Sequence, residues 1–575
     1  MYEELKKAVE AEDYESAHEI LNRSIAGGDA VFEDANSCIL AATVYLYFGE
    51  DELAFPLISM GLKKDYKNSE LYLLLGSYYC NKNVYQARLC YEQALFYSEE
   101  PEDREVISSY LEDVREAAAD LKPVSIVILT FNRLEENQHC IDSIRQTLAP
   151  GSYELIVVDN HSTDGTAEWL REQKDMKVIQ NEENLGFPAG CNQGIQAAME
   201  NNDIFLLNSD TVLLPGSLFW LRMGLYEDEK VGATGSVSNH AGNEQQIDID
   251  LSPESMLMVN MPMEHPYEYK PWLIGFAMLI KRKAMDEVGL LDERFSPGNF
   301  EDNDYGVRLN LAGYRTVLCH NSFIFHSGGY TEKKNAEIWT AAFENNKAKF
   351  KEKWGFEPSY FSWVRKELVD LIDAPKDAAI QVLELGCALG VTLNRIQYQW
   401  PNASVHGIEY NQDVVNIGIN YVDILQGDLD VMEFPYEDAQ FDYIVCGDVL
   451  EHLRDTEAVI RRLRRYLKPE GKMIVSLPNL MHVSVLRPLF LQGDFEYEDA
   501  GILDRTHLRF FTAHSIMKMM GRSGYRISHM AGVDGRKTEE EETFIRKMCD
   551  MFPEIDEMWL RAYQYIFTAT IRQEE

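Results

Sequence analysis

Two separate stretches of this chain alternate short β-branched runs with helical segments, and that pattern constrains the fold more than any other feature. Val124–Leu129, Leu155–Val158 and Ile204–Leu207 form the first series; Gln381–Glu384, Tyr443–Cys446 and Met473–Ser476 form the second. Near-continuous apolar runs are what a parallel strand needs when helices cover both faces of its sheet. Strand–helix–strand alternation predicts two open α/β sheets, each with its ligands at the carboxyl ends of the strands. Two such sheets in one chain point to two nucleotide-type ligands. At 575 residues the chain is also too long for a single core.

Residues 1–120 carry helical periodicity and almost no strand signal. Tyr72, Leu75, Gly76 and Tyr79, then Ala87, Tyr91 and Ala94, are spaced like two helices of one hairpin. Ala42, Tyr45, Ala54, Ile58 and Gly61 form an earlier copy, and Ala17, Leu21 and Ser24 a partial one. Small residues at these offsets let paired helices approach closely, and aromatics fill the groove between them. The pattern resembles tetratricopeptide repeats, whose period is ~34 residues; an unrelated helical bundle with ordinary core spacing is the alternative. The resemblance implies a docking unit for a protein partner, without a catalytic constellation of its own. Lys122-Pro123 ends this section and Pro375 breaks the chain again after the helical stretch Trp363–Ile372. The expected organisation is therefore a helical repeat region (1–120), a first α/β domain (123–356), a helical linker (357–378) and a second α/β domain (379–575).

Composition excludes several classes. Asp and Glu total 95 against 54 Lys and Arg, a net charge of -41 that repels phosphate backbones, so nucleic acid is not an expected partner. The nine Cys are scattered without a Cys-x-x-Cys pair, and most sit in apolar runs, which suits a reducing compartment and argues against disulfides or a zinc site. Met1–Ile20 lacks the apolar core of a signal peptide, and no stretch approaches the ~20 apolar residues of a transmembrane helix. The expected location is the cytoplasm.

Each strand of the first series ends in polar residues. Leu129 runs into Thr130-Phe131-Asn132-Arg133, Val158 into Asp159, and Leu207 into Asn208-Ser209-Asp210. An acid beyond a strand can accept hydrogen bonds from a base or ribose, and a second can hold Mg²⁺ or Mn²⁺ against a diphosphate; singly, each is also an ordinary turn former. Farther on come Asn184-Leu185-Gly186-Phe187-Pro188-Ala189-Gly190-Cys191-Asn192 and Gly298-Asn299-Phe300-Glu301-Asp302-Asn303-Asp304.

In this order, over Val124 to about Trp354, the motifs resemble the inverting family 2 glycosyltransferases of the GT-A fold, in their rhamnosyltransferase-like branch. The resemblance implies a nucleotide-sugar donor held by Thr130, Phe131, Asp159, Asn184, Gly186, Asn208 and Asp210. Asn208-Ser209-Asp210 stands where the family carries its acidic metal triplet, so Asp210 is the expected ligand and Asn208 a weaker one. His326, ahead of Ser327-Gly328-Gly329, matches a second metal or diphosphate contact, though a lone histidine after a strand is as readily structural. Glu301 and Asp302 match the family's catalytic pair, with Asp302 deprotonating the acceptor hydroxyl. A sugar hydroxyl is a poor nucleophile near neutral pH, so a positioned carboxylate meets a real need; the same acids also suit a helix N-terminus. Trp272, Gly275 and Phe276 are expected on the acceptor side.

In the second series Glu384-Leu385-Gly386-Cys387-Ala388-Leu389-Gly390 closes a strand with a glycine-containing turn, Glu409 ends another strand, and Asp428 follows Gln426-Gly427. With Asp448-Val449-Leu450-Glu451-His452-Leu453 and Leu467-Lys468-Pro469-Glu470-Gly471-Lys472, this resembles the class I S-adenosylmethionine methyltransferases, a Rossmann-like fold, over about Val382 to Ile571. Glu384, Gly386, Cys387, Gly390, Glu409, Asp428 and Asp448 would then bind S-adenosylmethionine. Ala388 replaces the usual middle glycine of the first motif. A dinucleotide-binding oxidoreductase competes for the glycine turn, but the Glu-His-Leu and Lys-Pro-Glu-Gly segments count against it. His507, in Asp504–Thr512, resembles an acceptor-side base or, alternatively, a histidine packed on a helix beside Phe510 and Phe511.

Taken together, the resemblances imply a multidomain enzyme of hexosyltransferase type that extends a glycan and methylates a sugar hydroxyl, in surface-polysaccharide or protein-glycan synthesis. A protein-modifying glycosyltransferase that adds a first sugar to Ser, Thr or Cys, and a non-catalytic scaffold, are the alternatives.

Overall fold

The structure, a computed structural model, describes residues 2–28, 31–328 and 336–572; Gly329 lies outside them. The chain divides into two compact units, residues 1–353 and 354–575.

The first unit opens with seven helices, Tyr2–Glu10, Tyr14–Ala26, Ala35–Tyr47, Asp51–Lys64, Ser69–Cys80, Val84–Tyr97 and Pro101–Arg115. Asn68 and Asn83 cap the fifth and sixth by accepting first-turn amides, as Asn does at helix starts. Gly76 has no alternative: a Cβ there would lie 2.1 Å from the Tyr91 ring of the paired helix. These helices belong to the same unit as the sheet that follows. Gln86 Nε2 donates to Met223 O at 2.9 Å and Ser59 Oγ to Pro262 O at 2.9 Å. Tyr72 meets Phe219 edge-on at 5.6 Å. The helix Ser217–Leu225 is consequently buried almost all round, which explains its lack of a polar face.

The first sheet comprises β1 (Val124–Thr130), β2 (Tyr153–Asp159), β3 (Lys177–Gln180), β4 (Asp203–Asn208), β6 (Val231–Val237), β7 (Tyr267–Lys270), β8 (Ala277–Ile280) and β9 (Arg315–Phe323). Its order is β3-β2-β1-β4-β8-β6-β9-β7. The β3-β2-β1-β4 half is parallel, whereas β8 runs antiparallel to both its neighbours and β7 antiparallel to β9. The expected open α/β sheet is thus mixed. Two-residue strands β5 (Thr211–Val212) and β10 (Phe325–His326) pair antiparallel beside it. The helix Glu301–Leu311 precedes β9 and the helix Ala336–Trp354 follows β10.

The second unit holds β11 (Gln381–Leu385), β12 (Ser404–Glu409), β13 (Asp423–Gln426), β14 (Phe441–Gly447), β15 (Leu467–Pro478), β16 (Tyr525–Asp534) and β17 (Ala562–Ile571) in the order β13-β12-β11-β14-β15-β17-β16. All pairs are parallel up to β15; β17 runs antiparallel between β15 and β16. The Lys-Pro-Glu-Gly segment forms the irregular start of β15, where the register against β14 shifts. The segment 357–378, expected as a helical linker, contains only two single-turn helices, Pro358–Phe361 and Lys366–Val369. It is anchored in this unit, with Val364, Leu368 and Val369 buried.

Candidate active sites

In the first unit the register Thr130↔Asp159 and Leu129↔Asn208 aligns the ends of three adjacent strands. The β5–β10 bridge sets His326 opposite Thr211 and so beside Asp210. His326 Nε2 lies 3.2 Å from Asp210 Oδ1, and Arg133 Nη1 lies 3.0 Å from Asp210 Oδ2. Burial would raise the Asp210 carboxyl; the hydrogen bond and charge of His326, with Arg133 beside it, bring it below the usual range. His326 moves the other way: burial lowers it, and Asp210 more than offsets that and raises it. His326 Nδ1 faces the carbonyl of His240 at 2.8 Å. A carbonyl only accepts, so Nδ1 carries a proton, and Nε2, when protonated as well, donates to Asp210; loss of the Nε2 proton frees that lone pair for a cation. Asp210 and His326 form a mixed O/N donor set that fits a divalent cation.

A cavity of about 300 Å³ is lined by Asn208, Gly275, Phe276, Glu301, Asp302 and His326, among others. Asp302 sits in the first turn of its helix, as the helix-start reading expects. Its Oδ2 accepts from Gly275 N at 3.0 Å and its Oδ1 from Asn303 N at 2.8 Å. With its amide oriented to match its surroundings, Asn303 also donates Nδ2 to Asp302 Oδ1 at 3.0 Å and accepts from Trp272 Nε1 at 2.7 Å. Trp272 is therefore not an acceptor-lining side chain: it is buried and steadies Asp302 from behind. Burial raises the Asp302 carboxyl against these bonds, and burial with the adjacent Asp302 charge holds Glu301 well above its ordinary value.

Other expected donor contacts fall differently. Asp159 is buried, its Oδ1 accepting from Ser162 N at 3.1 Å. Thr130 is buried, whereas Phe131 is exposed. Asn184 spends its Oδ1 on Gly186 N (2.9 Å) and Asn160 Nδ2 (3.0 Å), so its carbonyl shapes the loop. Gly186 packs on Ser296, whose Oγ would lie 2.2 Å from a Cβ. Arg133 was not legible as a site residue; its only sequence signal is its place just after Thr130-Phe131-Asn132.

In the second unit the turn after β11 brings Gly386, Ala388 and Gly390 into left-handed backbone, at φ 66°, 50° and 73°. Glu409, at the end of β12, accepts from Ala388 N at 3.0 Å and Asn411 N at 2.9 Å. Asp428 accepts from Asp430 N at 2.9 Å. Cys387 does not face the turn's open side: its thiol is buried against Gly407 and its amide donates to Ile408 O. Its lining role is corrected to core packing. Arg365, from the segment expected to be a mere linker, pairs with Asp448 and donates to Ser476 Oγ at 3.1 Å. Glu384 is buried with Oε2 unpartnered, and burial pushes it up to about 8 against the Arg365 charge.

Beyond β14 lie Glu451, His452 and His507, which each offer one ligand atom within 4.8 Å of the others. His507 lies nearly buried in a loop, its ring against His452 and beside Phe510, with Nδ1 on Ile502 O at 2.9 Å. Burial, then the Asp448 charge, holds Glu451 well above its ordinary value.

Residues 125–289 match the family model described as "Glycosyl transferase family 2", and residues 360–530 that described as "Methyltransferase domain". The chain is 26% identical over 237 residues to the "Uncharacterized glycosyltransferase YfnE" of Bacillus subtilis, covering 33% of this chain and 60% of that protein. It is 27% identical over 119 residues to the demethylmenaquinone methyltransferase of Bacillus cytotoxicus, covering 19% and 48% respectively. The chain thus spans about half to three-fifths of these relatives' lengths. A solved structure of GalNAc-T7 with UDP, GalNAc and Mn²⁺ aligns at 15% identity over 43% of this chain and 51% of that one, at a TM-score of 0.35. The two family matches give the chain a family 2 glycosyltransferase domain and a methyltransferase domain.

Proposed function

We propose that the chain is a bifunctional enzyme: its first unit transfers a sugar, with inversion, from a nucleotide-sugar donor to a glycan, and its second methylates a sugar hydroxyl with S-adenosylmethionine. The observation that carries the first half is the meeting of Asp302, Asn208 and His326 on one cavity. Asp302, raised by burial and fixed by Gly275, Asn303 and Trp272, takes the acceptor proton. Asp210 and His326, with Asn208 beside them, hold the cation. When bound, that Mg²⁺ or Mn²⁺ offsets the charge on the leaving diphosphate. Arg133 keeps Asp210 neutralised until the cation arrives. Asp159 and the exposed Phe131 receive the nucleoside.

In the second unit Glu409 and Asp428 receive the ribose and base, and the left-handed turn at 386–390 lets the backbone approach the cofactor. Bound S-adenosylmethionine supplies a methyl group on a cationic sulfur. Glu384 and Asp448 offer negative charge to that cation, and Arg365 orients Asp448. The acceptor hydroxyl is deprotonated at the Glu451–His452–His507 cluster, where His507 is the candidate base.

The N-terminal helices support a tetratricopeptide-like reading through their spacing, since one pair begins at Ala35 and the next at Ser69, thirty-four residues on. They would present a protein partner or protein-linked acceptor, in a cytoplasmic pathway of polysaccharide or protein-glycan assembly. Among the described residues no helix is long and apolar enough to cross a membrane.

The deciding experiment replaces Asp302 with Asn. Transfer should fall by about 10³-fold or more in a donor-turnover assay, while calorimetry with a nucleoside diphosphate and Mn²⁺ gives nearly unchanged affinity. Full transfer by the variant would remove Asp302 as the base.

A further inference from the structure

We propose that Glu451, His452 and His507 hold a divalent transition-metal ion, a second cation site separate from the one in the first unit. Glu451 is 1% exposed, yet neither of its carboxylate oxygens has a hydrogen-bond partner. A buried carboxylate left in that state is costly and calls for a positive partner. Within reach it has two imidazoles. His507 Nε2 stands 3.9 Å from Glu451 Oε1, too long for a hydrogen bond. Two ligands that each sit about 2.1 Å from a tetrahedral ion stand roughly 3.4 Å apart, so a side-chain shift of about half an ångström brings this pair to ligand spacing.

Both rings are already set for ligation. His507 Nδ1 meets Ile502 O at 2.9 Å and His452 Nδ1 meets Thr506 O at 3.2 Å. A carbonyl accepts only, so each Nδ1 carries the proton and each neutral ring leaves Nε2 as its lone-pair donor. This is the outer-sphere arrangement that orients metal-bound histidines. The two segments are also tied together. The carbonyl of Glu451 accepts from Leu508 N at 2.9 Å and Arg509 N at 3.0 Å, so the loop that carries His507 is fixed to the turn that carries Glu451 and His452.

Two imidazoles and one carboxylate form a borderline donor set, which favours Zn²⁺, Co²⁺, Fe²⁺ or Mn²⁺ over Ca²⁺ or Mg²⁺. Three protein ligands leave positions open, and the hydroxyl oxygens of a methyl acceptor are the chemistry that fits them. With the ion in place His507 serves as a ligand rather than as a base. This last step rests on the methyl-transfer reading; the binding of the ion does not.

The test uses the full chain carrying Asp210→Asn, which disables the first unit's carboxylate–histidine pair. It is stripped with chelator and titrated with Co²⁺ alone by calorimetry and visible absorption. One equivalent should bind with d–d bands of low coordination number. Adding Glu451→Gln or His507→Ala should weaken binding by about 100-fold or more, with the melting temperature and S-adenosylhomocysteine affinity retained. If Glu451→Gln fails to fold, His452→Ala serves in its place. No binding in the Asp210→Asn chain, or binding unchanged by the added substitutions, overturns the site. Co²⁺ binding without S-adenosylhomocysteine binding would instead sink the methyl-transfer reading and leave the ion site standing.

Discussion

In the first unit Asp210 is clasped between His326 and Arg133, whereas in the second unit Glu384 and Glu451 are buried with oxygens that meet no hydrogen-bond donor. The difference matches the charge each site has to receive. On the proposed function the nucleotide sugar arrives as an anion, and of the first site's acids it is Asp210 alone that cationic groups bring below the usual carboxylate range, while burial raises Glu301 and Asp302. On the proposed function S-adenosylmethionine brings a sulfonium, and the second site offers it Glu384 and Glu451, desolvated acids that burial holds above the ordinary carboxylate range. Burial outweighs the Arg365 charge at Glu384 and favours its protonated form, raising it to about 8.

The contrast can be broken first at Arg365, the guanidinium that pairs with Asp448 and whose charge acts on Glu384. Arg365→Gln leaves Asp448 and Glu384 without their cation. Loss of a buried pair of this kind costs several kcal/mol, and because the Asp448 side chain is 33% exposed the expected loss is on the order of 2 kcal/mol. Chemical denaturation of the second unit's transition, with and without S-adenosylhomocysteine, measures it. No loss would mean that the acids do not need Arg365.

Glu384 sharpens the contrast through pH. Its folded-state value lies above the ordinary 4.5, at about 8, so the folded state holds the proton longer than the unfolded one. Its stabilising contribution is complete below about 4.5 and is lost as pH rises to about 8, at up to about 1.4 kcal/mol per pH unit. Glu384→Gln, which cannot ionise, should flatten that part of the melting-temperature profile. A profile with the same slope in both proteins would show that Glu384 is already ionised in the folded state.

The smallest effect is expected at Ala388, whose φ of 50° places a non-glycine residue in left-handed backbone. Ala388→Gly should stabilise the second unit by about 1 kcal/mol, read as a rise in melting temperature without loss of S-adenosylhomocysteine binding. A fall would show that the methyl group's packing outweighs the backbone strain.

Much of the architecture could be read from the chain alone. Val124–Leu129, Leu155–Val158 and Ile204–Leu207 are buried strands because such runs must be covered on both faces. Their polar ends mark the binding edge because a strand's last residues leave the core first. Asp210 and Glu409 were legible for that reason, and Asp302 and Glu384 through the motifs that contain them. Arg133, Arg365 and the grouping of Glu451 with His452 and His507 were not, because no local period marks a side chain that crosses from one loop to another. The same limit explains Trp272, expected on the acceptor side by resemblance but buried against Asn303, which holds Asp302.

By itself, then, the order of apolar runs and polar ends determined that this protein has two α/β sheets and which acids stand at their edges, since burial and hydrogen-bond demand act along a few consecutive residues. Only the tertiary structure decided how each acid is charged: whether a guanidinium, an imidazole or nothing lies within about 3 Å of a carboxylate depends on segments far apart in the chain, and at that range burial and pairing compete on equal terms.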